Sequence, residues 1–221
     1  MLKVDFHIHT GSDPLDKLSY TDEELIDKAS DLSFDAISIT NHNACTYAKE
    51  LADYAESKGI LLIPGSEITI NGRHVIVLNI TQRDVDEIKT FDDLRKLKSQ
   101  KDILVIAPHP YFVLPNCLSK KLIQNIDIFD AVEYSYFHTK WINFNRKAKA
   151  AAEKFSKTLI AQSDTHILKC FGNTYSFVDA EKDFKSIKKA VIGGKVKIVS
   201  PPLRFSNMLW TIFMMLFGRG Y

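Results

Sequence analysis

The sequence has little cysteine, little net charge and no long hydrophobic run. Its 221 residues include three cysteines, Cys45, Cys117 and Cys170, and none of them forms a CxxC pair. This spacing excludes a zinc ribbon or a redox dithiol, and it favours buried core cysteines in a reducing, cytoplasmic compartment. Lys and Arg number 29 against 27 Asp and Glu, so the formal charge is only +2. We therefore expect no extended nucleic-acid surface and no stable binding to duplex DNA.

The apolar run of residues 208–217 is too short to cross a membrane. Ten helical residues reach about 15 Å, whereas the hydrocarbon core of a bilayer is about 30 Å thick. Arg204 and Arg219 bracket the run, and we favour packing on the protein body or formation of a homodimer over an interfacial anchor. The first residues, Met1–His7, lack the basic and apolar segments of a secretion signal.

Short β-like runs alternate with helical patterns along the chain. The predicted strands are Lys3–His7, Asp35–Thr40, Ile60–Pro64, Val75–Ile80, Ile103–Ala107, Ala131–Tyr134 and Thr158–Gln162. The predicted helices are Thr21–Leu32, Tyr47–Lys58, Phe91–Ser99, Trp141–Ser156 and Asp183–Gly193. This alternation predicts an α/β protein with a mainly parallel sheet in a small barrel. Asn71-Gly72 predicts a hairpin over residues 68–77, which interrupts a regular (β/α)8 pattern.

The pattern also suggests how the chain is organised. We expect residues 1–172 to form the barrel that holds the functional site. Residues 173–221 would then be an extension of the same domain, with a strand over Tyr175–Val178, a helix and the apolar terminus. This extension would pack on the barrel as a short cap.

The histidines are not scattered. Of the seven histidines, six fall at predicted strand ends or in the hairpin, namely His7, His9, His42, His74, His109 and His166. The carboxyl ends of barrel strands gather on one face, and side chains two residues apart on a strand point the same way. Neutral imidazole with nearby carboxylate and no cysteine favours zinc, manganese or iron. A lone histidine is more often structural, and His138 in an aromatic loop is either a substrate contact or a surface residue.

The motifs also occur in a familiar order. They are Asp5-Phe6-His7-Ile8-His9-Thr10, Thr40-Asn41-His42-Asn43, Gly65-Ser66-Glu67-Ile68-Thr69, His74, Ala107-Pro108-His109-Pro110 and Ser163-Asp164-Thr165-His166. Together they resemble the polymerase and histidinol phosphatase (PHP) superfamily over nearly the entire chain. The resemblance implies a distorted (β/α)7 TIM-like barrel with two or three divalent metal ions at the carboxyl ends of its strands.

The resemblance also assigns the metal ligands. One ion would be held by His7, His9, Glu67 and Asp164. A second ion would share Glu67 and add His74 and His109. A third would use His42, His166 and an acidic residue from the loop after the first strand, for which Asp13 is the candidate and Asp16 the competitor.

The implied activity is hydrolysis of a phosphate ester on a small phosphorylated metabolite, nucleotide or short oligonucleotide. A hydroxide bridging the metals would be the nucleophile, so Asp164, His9 and Glu67 would act through it. Arg146 could bind phosphate in a bidentate fork or belong to a solvated basic helix face. Glu133 could orient a ligand histidine.

Two other functions compete with this one. A degenerate PHP-type binding or structural module would be expected to have lost ligands, whereas this chain keeps nearly all of them. A metal-dependent hydrolase of C–N bonds would usually carry a carboxylated lysine at a strand end, and no predicted strand here ends in lysine.

Overall fold

A computed structural model describes residues 1–204 and residue 208, and these residues form ten strands and seven α-helices. The strands are β1 (Leu2–Ile8), β2 (Ala36–Ile39), β3 (Leu61–Leu62), β4 (Gly65–Ile70), β5 (Arg73–Leu78), β6 (Leu104–Ala107), β7 (Ala131–Ser135), β8 (Thr158–Gln162), β9 (Tyr175–Val178) and β10 (Val196–Val199). The helices are α1 (Asp22–Asp31), α2 (Lys49–Ser57), α3 (Gln82–Glu87), α4 (Phe91–Gln100), α5 (Lys120–Gln124), α6 (Asn145–Lys154) and α7 (Phe184–Ile192). The predicted packing of the apolar run lies outside the described residues, apart from residue 208 itself. No helix in the described part of the chain is long and apolar enough to span a membrane.

The strands form two five-stranded sheets. In the first sheet the order is β10-β9-β1-β2-β3, where β1, β2 and β3 are parallel and β9 is antiparallel to both neighbours. In the second sheet the order is β4-β5-β6-β7-β8, where β5 is antiparallel to β4 and β6 while β6, β7 and β8 are parallel. Parallel neighbours require crossover connections, which α1, α2, α5 and α6 supply.

Strand β5 shows how the sequence builds the core. Val75 and Val77 pack in an apolar cluster with residues of α3, α4 and α6. Ile76 and Leu78 point to the other face of the strand and pack in a second cluster. This cluster contains residues of both sheets, including Phe6 of β1. Because side chains alternate along a strand, burial on both faces requires a continuous apolar run. The second cluster therefore holds the two sheets together.

The sheets also meet at the carboxyl-terminal edge of their parallel strands. Ile8 forms a parallel bridge with Thr165, and His42 forms one with Glu67. The backbone N–H of His9 adds a hydrogen bond to the Thr165 carbonyl at 3.1 Å. These bridges bring residues of both sheets to one edge. The α/β class is confirmed, and closure of the two sheets into a single (β/α)7 barrel stays a prediction.

Most predicted elements occur with shifted ends, and two differ more strongly. The third predicted strand, Ile60–Pro64, keeps only Leu61–Leu62 as β3. The helix predicted over Trp141–Ser156 begins at Asn145. Its start is delayed because the side chain of Asn143 accepts the Asn145 N–H at 2.9 Å and holds the preceding residues in a turn.

The predicted hairpin is confirmed as the β4–β5 pair. Asn71 and Gly72 both have positive φ, 50° and 71°, as a type I′ turn requires. The helices α3 and α5 and the strand β10 were not predicted. Helix α3 had a readable signal, since Thr81 and Asp84 form a capping box. The other two are only five and four residues long, too short for a clear periodicity.

Candidate metal centre

The structure brings all nine predicted metal ligands together at the edge where β1, β2, β6 and β8 end. Each of them has a side-chain nitrogen or oxygen within 3.6 Å of another member of the set. Strand ends, the hairpin and the loop after β1 supply these side chains, which are His7, His9, Asp13, His42, Glu67, His74, His109, Asp164 and His166. His7 and Asp164, which are 157 positions apart in the sequence, thus meet in one cluster.

Strand β1 presents two imidazoles through an irregularity in its pairing. Its register with β2 shifts between Asp5 and Ile8, and Ile8 packs in the apolar cluster that includes residues of α1. His7 and His9 flank Ile8 and both point into the cluster, as the HxH spacing predicts. Both residues are fully buried, and their ring centroids are 5.3 Å apart.

The Nε2 atoms of His7 and His9 are buried and have no hydrogen-bond partner. His7 Nε2 lies 3.4 Å from Glu67 Oε1 and 3.3 Å from Asp164 Oδ1. His9 Nε2 lies 3.5 Å from an oxygen of each of the same two carboxylates. Four ligand atoms bound to one zinc ion at about 2.0–2.1 Å in a tetrahedron are about 3.4 Å apart. Since buried polar atoms normally have partners, these four side chains fit a shared divalent metal ion.

The cluster can hold more than one ion. Five overlapping sets of three or four side chains place one ligand atom each within 4.8 Å of the others. Together the sets include all nine predicted residues and add Asp16. Because the sets share members, neighbouring ions would share ligands, as the PHP resemblance implies for Glu67.

Three of the imidazoles contact a carboxylate through their Nδ1 atoms. His7 Nδ1 lies 2.8 Å from Glu133 Oε2, so Glu133 contacts a candidate ligand histidine, and its orienting role stays a prediction. Asp13 Oδ2 lies 2.9 Å from the Nδ1 atoms of both His9 and His42, and it also accepts the His42 backbone N–H at 2.8 Å. A carboxylate at Nδ1 fixes the tautomer that leaves Nε2 free for a metal, and it raises the basicity of the imidazole.

The charges of the cluster shift the ionisation of its members. Burial opposes ionisation of Glu67 and Asp164, but the surrounding imidazoles hold the pKa of both carboxyls well below their usual range. Burial likewise opposes protonation of the imidazoles. Nevertheless, nearby carboxylates raise the pKa of His7 well above its usual value and that of His42 to about 10. Such a site is expected to exchange protons for metal cations.

The loop after β1 supplies two acidic residues with different neighbours. Asp13 faces His9 and His42, whereas Asp16 Oδ2 lies 3.1 Å from His166 Nε2 and 3.5 Å from His42 Nδ1. The Asp13 side chain is fully buried, and that of Asp16 is 31% exposed. Both carboxylates thus reach the ligands of the implied third ion, Asp13 from inside the protein and Asp16 from the solvent side.

Glu67 also contacts a second pair of imidazoles. Its Oε1 lies 2.9 Å from His74 Nδ1 and 3.2 Å from His109 Nε2. The groups next to these rings are Cys117, whose Sγ lies 3.4 Å from His109 Nδ1, and Asn116, whose Nδ2 lies 3.4 Å from His74 Nδ1 and 3.3 Å from His74 Nε2. The sequence predicted Cys117 only as a buried residue, and no motif or spacing marked either contact.

Two of the ligands have strained backbones. His109 has a φ of 26° and Asp164 a φ of 46°, both in the left-handed region that residues other than glycine avoid. Such conformations cost about 1–3 kcal/mol each and cluster at functional sites. The strain occurs directly after β6 and after β8, where the chain turns these side chains into the cluster.

The two predicted substrate-binding residues have no described contact with the cluster. Arg146 is exposed in the first turn of α6. His138 is buried, its Nε2 lies 3.2 Å from the carbonyl and hydroxyl oxygens of Ser200, and its ring packs edge-on against Tyr134. Burial lowers the pKa of His138. A substrate role for either residue stays a prediction.

Comparison with known proteins agrees with this architecture. The PHP domain model matches residues 5–196, so the chain belongs to the PHP family and the resemblance is confirmed. A two-domain Bacteroides vulgatus protein containing a predicted PHP-like metal-dependent phosphoesterase aligns with a TM-score of 0.70 and 22% identity, over 96% of this chain and 69% of that chain. The lesion-specific endonuclease PfuEndoQ from Pyrococcus furiosus aligns with a TM-score of 0.60 and 16% identity, over 89% and 57%. The uncharacterized protein MJ1587 of Methanocaldococcus jannaschii is 25% identical over 142 residues, 59% of this chain and 82% of that relative.

Proposed function

We propose that this protein is a metal-dependent phosphoesterase that hydrolyses a phosphate ester at the cluster. The observation that carries this proposal is the meeting of His7, His9, Glu67 and Asp164. The two imidazoles direct unpartnered Nε2 atoms at the two carboxylates, with separations of 3.3–3.5 Å. This donor set of neutral imidazole and carboxylate suits zinc, manganese or iron.

Two or three such ions would be bound in a distorted barrel of the PHP type. The first would be held by the four residues named above. The second would share Glu67 and add His74 and His109, and the third would use His42, His166 and Asp13. Glu67 is central because its two oxygens lie near five imidazoles, those of His7, His9, His42, His74 and His109.

Divalent ions held by these residues would lower the pKa of a coordinated water and neutralise negative charge on the phosphoryl group. The residues of the chain hold that arrangement in place. Asp164 is 18% exposed at its side chain, whereas His7, His9 and Glu67 are at most 1% exposed, so Asp164 is the member of this set that solvent reaches. Asp164 would act, like His9 and Glu67, by holding the metal ions that activate the water. His9 and Glu67 would keep the reacting oxygens in line.

Substrate recognition rests on less specific features. Arg146 is exposed on α6 and would bind a phosphate or a remote anionic group, and His138 would contact substrate only from its buried position. The substrate would be a small phosphorylated metabolite, a nucleotide or a short oligonucleotide. A homodimer through residues 208–217 is part of the same proposal.

The proposal is tested by metal content and by hydrolysis of an aryl phosphate. Purified protein should contain two or three transition-metal ions per chain, and His9→Ala or Asp164→Ala should abolish hydrolysis without changing the circular dichroism spectrum. Asp53→Asn, on the exposed surface of α2, is the matched control and should keep full activity. Protein that neither contains metal nor binds added manganese or zinc would overturn the proposal.

A panel of substrates separates the competing activities. Monoesters, diesters and single-stranded oligonucleotides should be hydrolysed to different extents with manganese present, which identifies the preferred ester. Hydrolysis of amides but of no phosphate ester would replace the proposal with the C–N hydrolase.

A further inference from the structure

The loop between β6 and α5 is fastened to the hairpin. Arg73 Nη1 donates to the backbone oxygen of Cys117 at 2.9 Å and also to that of Pro115. The backbone N–H of His74 donates to the Asn116 carbonyl at 2.9 Å. Three successive loop residues are therefore fixed beside β5, so their side chains keep a defined position relative to the cluster.

Cys117 and Asn116 connect the two imidazoles that flank Glu67 Oε1. Cys117 Sγ lies 3.4 Å from His109 Nδ1 and 3.9 Å from Asn116 Oδ1. Asn116 Nδ2 lies 3.3 Å from His74 Nε2 and 3.4 Å from His74 Nδ1, at the ring edge between the two nitrogens. One assignment of hydrogens fits these contacts around the thiol. His109 Nδ1–H donates to the sulfur and the thiol donates to Asn116, which leaves His109 Nε2 free to bind a metal.

We propose that Cys117, supported by Asn116, is a positioning residue that sets the affinity of the metal ion bound by His109, His74 and Glu67. This inference rests on the proposed function, because it requires that the cluster binds metal. Groups behind a ligand histidine fix its tautomer and orientation, and their loss typically lowers metal affinity about 10–100-fold.

The same contacts predict which ion is released first. His7, His9 and His42 have a carboxylate at Nδ1, which forms charge-assisted hydrogen bonds of about twice the usual strength. Thiol sulfur is a weak acceptor, and Asn116 is neutral. The ion at the His74 and His109 end is therefore held least tightly.

A purely structural role for Cys117 makes a different prediction. The residue is 1% exposed, so a substitution that only loosened packing would lower stability and weaken all metal sites together. A positioning role requires selective loss of one metal equivalent while the others keep their affinity. The number of equivalents lost thus separates the two roles.

The experiment compares the wild type with Cys117→Ala and Cys117→Ser, each loaded with zinc and equilibrated against graded concentrations of a chelator. Elemental analysis then counts the ions that remain on each chain. We expect Cys117→Ala to release one metal equivalent at a chelator concentration about 10–100-fold lower than the wild type requires. The other equivalents should be released as in the wild type. Cys117→Ser should lie between the two, because its hydroxyl can still accept a hydrogen bond. When cobalt replaces zinc, the visible absorption of only one bound ion should differ between the Cys117 variants and the wild type.

Cys45→Ala is the matched control. It removes a half-buried thiol that donates to the Ile80 carbonyl at 3.3 Å rather than contacting an imidazole, and it should release metal as the wild type does. If Cys117→Ala does not fold, Cys117→Ser and Asn116→Ala give the same test. If the Cys117 variants release metal as the wild type does, or lose every metal equivalent equally, the positioning role is overturned while the proposed function stays intact. A wild type that binds no metal would instead overturn the proposed function.

Discussion

The two ends of the candidate metal centre are supported in different ways. At the first end, His7, His9 and His42 have carboxylates behind them, provided by Glu133 and Asp13. At the second end, His74 and His109 have an amide and a thiol, provided by the loop between β6 and α5. The ligand residues are of the same type at both ends, so the difference lies in what holds them.

The supporting groups also differ in their surroundings. Glu133 is fully buried in β7, and Asp13 is buried beneath the loop after β1. The loop that supports the second end is only partly buried, and its Val113 and Leu114 side chains are exposed. We therefore expect the imidazoles at this edge to bind metals with unequal affinity, because one set is anchored in the core and the other in a surface loop.

The largest expected effect comes from Asp13→Asn. One Asp13 oxygen contacts two imidazoles and one backbone N–H. Loss of its charge should weaken the orientation of His9 and His42 at once, and it should also remove the proposed carboxylate ligand of the third ion. Because each orienting contact is worth about 10–100-fold, kcat/KM for an aryl phosphate should fall by about two to four orders of magnitude. Elemental analysis should show that metal is lost at the first end while His74 and His109 retain theirs.

A titration of the metal-free protein gives a second measurement for the same substitution. Although burial opposes protonation, hydrogen bonds to Asp13 and Glu67 raise the pKa of His42 to about 10. Removing the Asp13 charge should therefore lower the pKa of His42, as followed by the NMR signals of its ring. Asp31→Asn, on the exposed end of α1, is the control and should change neither the metal content nor the pKa of His42. An Asp13→Asn variant with unchanged metal content would show that the two ends do not differ as described.

Glu133→Gln should have the next largest effect. Glutamine keeps the size of the side chain but not its charge, and only His7 depends on this contact. We expect the affinity of the first metal site to fall about 10–100-fold, with the fold retained. Chelator titration measures the loss, and Glu153→Gln on the exposed face of α6 serves as control. Equal weakening at His74 and His109 would contradict the separation of the two ends.

The first end could be predicted from the sequence because its signals are local. HxH spacing places His7 and His9 on one side of a strand, and Glu133 falls at the end of a predicted strand. The support of the second end could not be predicted in this way. The contact of Cys117 with His109 depends on the path of an irregular loop, which has no periodicity to read.

Tertiary packing explains the other differences from prediction. His138 follows a strand, as several ligands do, but the segment around Ser200 lies against it and takes up its Nε2. Strands β2 and β4 belong to different sheets and lie close to each other. The pattern of apolar residues in the sequence does not reveal this close approach. Gly65 lies at that position, where a Cβ atom would be 2.4 Å from Ser38 Oγ and 2.7 Å from Leu78 Cδ2.

Gly65→Ala should therefore affect both ends alike and less strongly than loss of a carboxylate. The added methyl group overpacks the contact between the sheets, which typically costs about 1–3 kcal/mol of unfolding free energy. Glu67, two residues further along β4, should then shift relative to all of its imidazoles. Urea denaturation measures the stability, and adding Ser38→Ala should restore part of it, because Ser38 Oγ is buried without a partner. A Gly65→Ala protein as stable as the wild type would show that the sheets are not in close contact here.

Asp16→Asn should give the smallest effect, and it tests how far the carboxylate support extends toward solvent. Asp16 contacts His166 Nε2 at 3.1 Å, yet its side chain is 31% exposed, and His166 Nδ1 is separately placed 3.0 Å from the Asp164 carbonyl. Exposed ion pairs contribute about 0–1 kcal/mol, so kcat/KM should fall by less than about tenfold with every metal equivalent retained. Loss of a whole equivalent would instead make Asp16, rather than Asp13, the loop ligand of the third ion. Asp13 would then serve only to orient His9 and His42, so the carboxylates of the first end would be divided between holding metal and holding imidazoles.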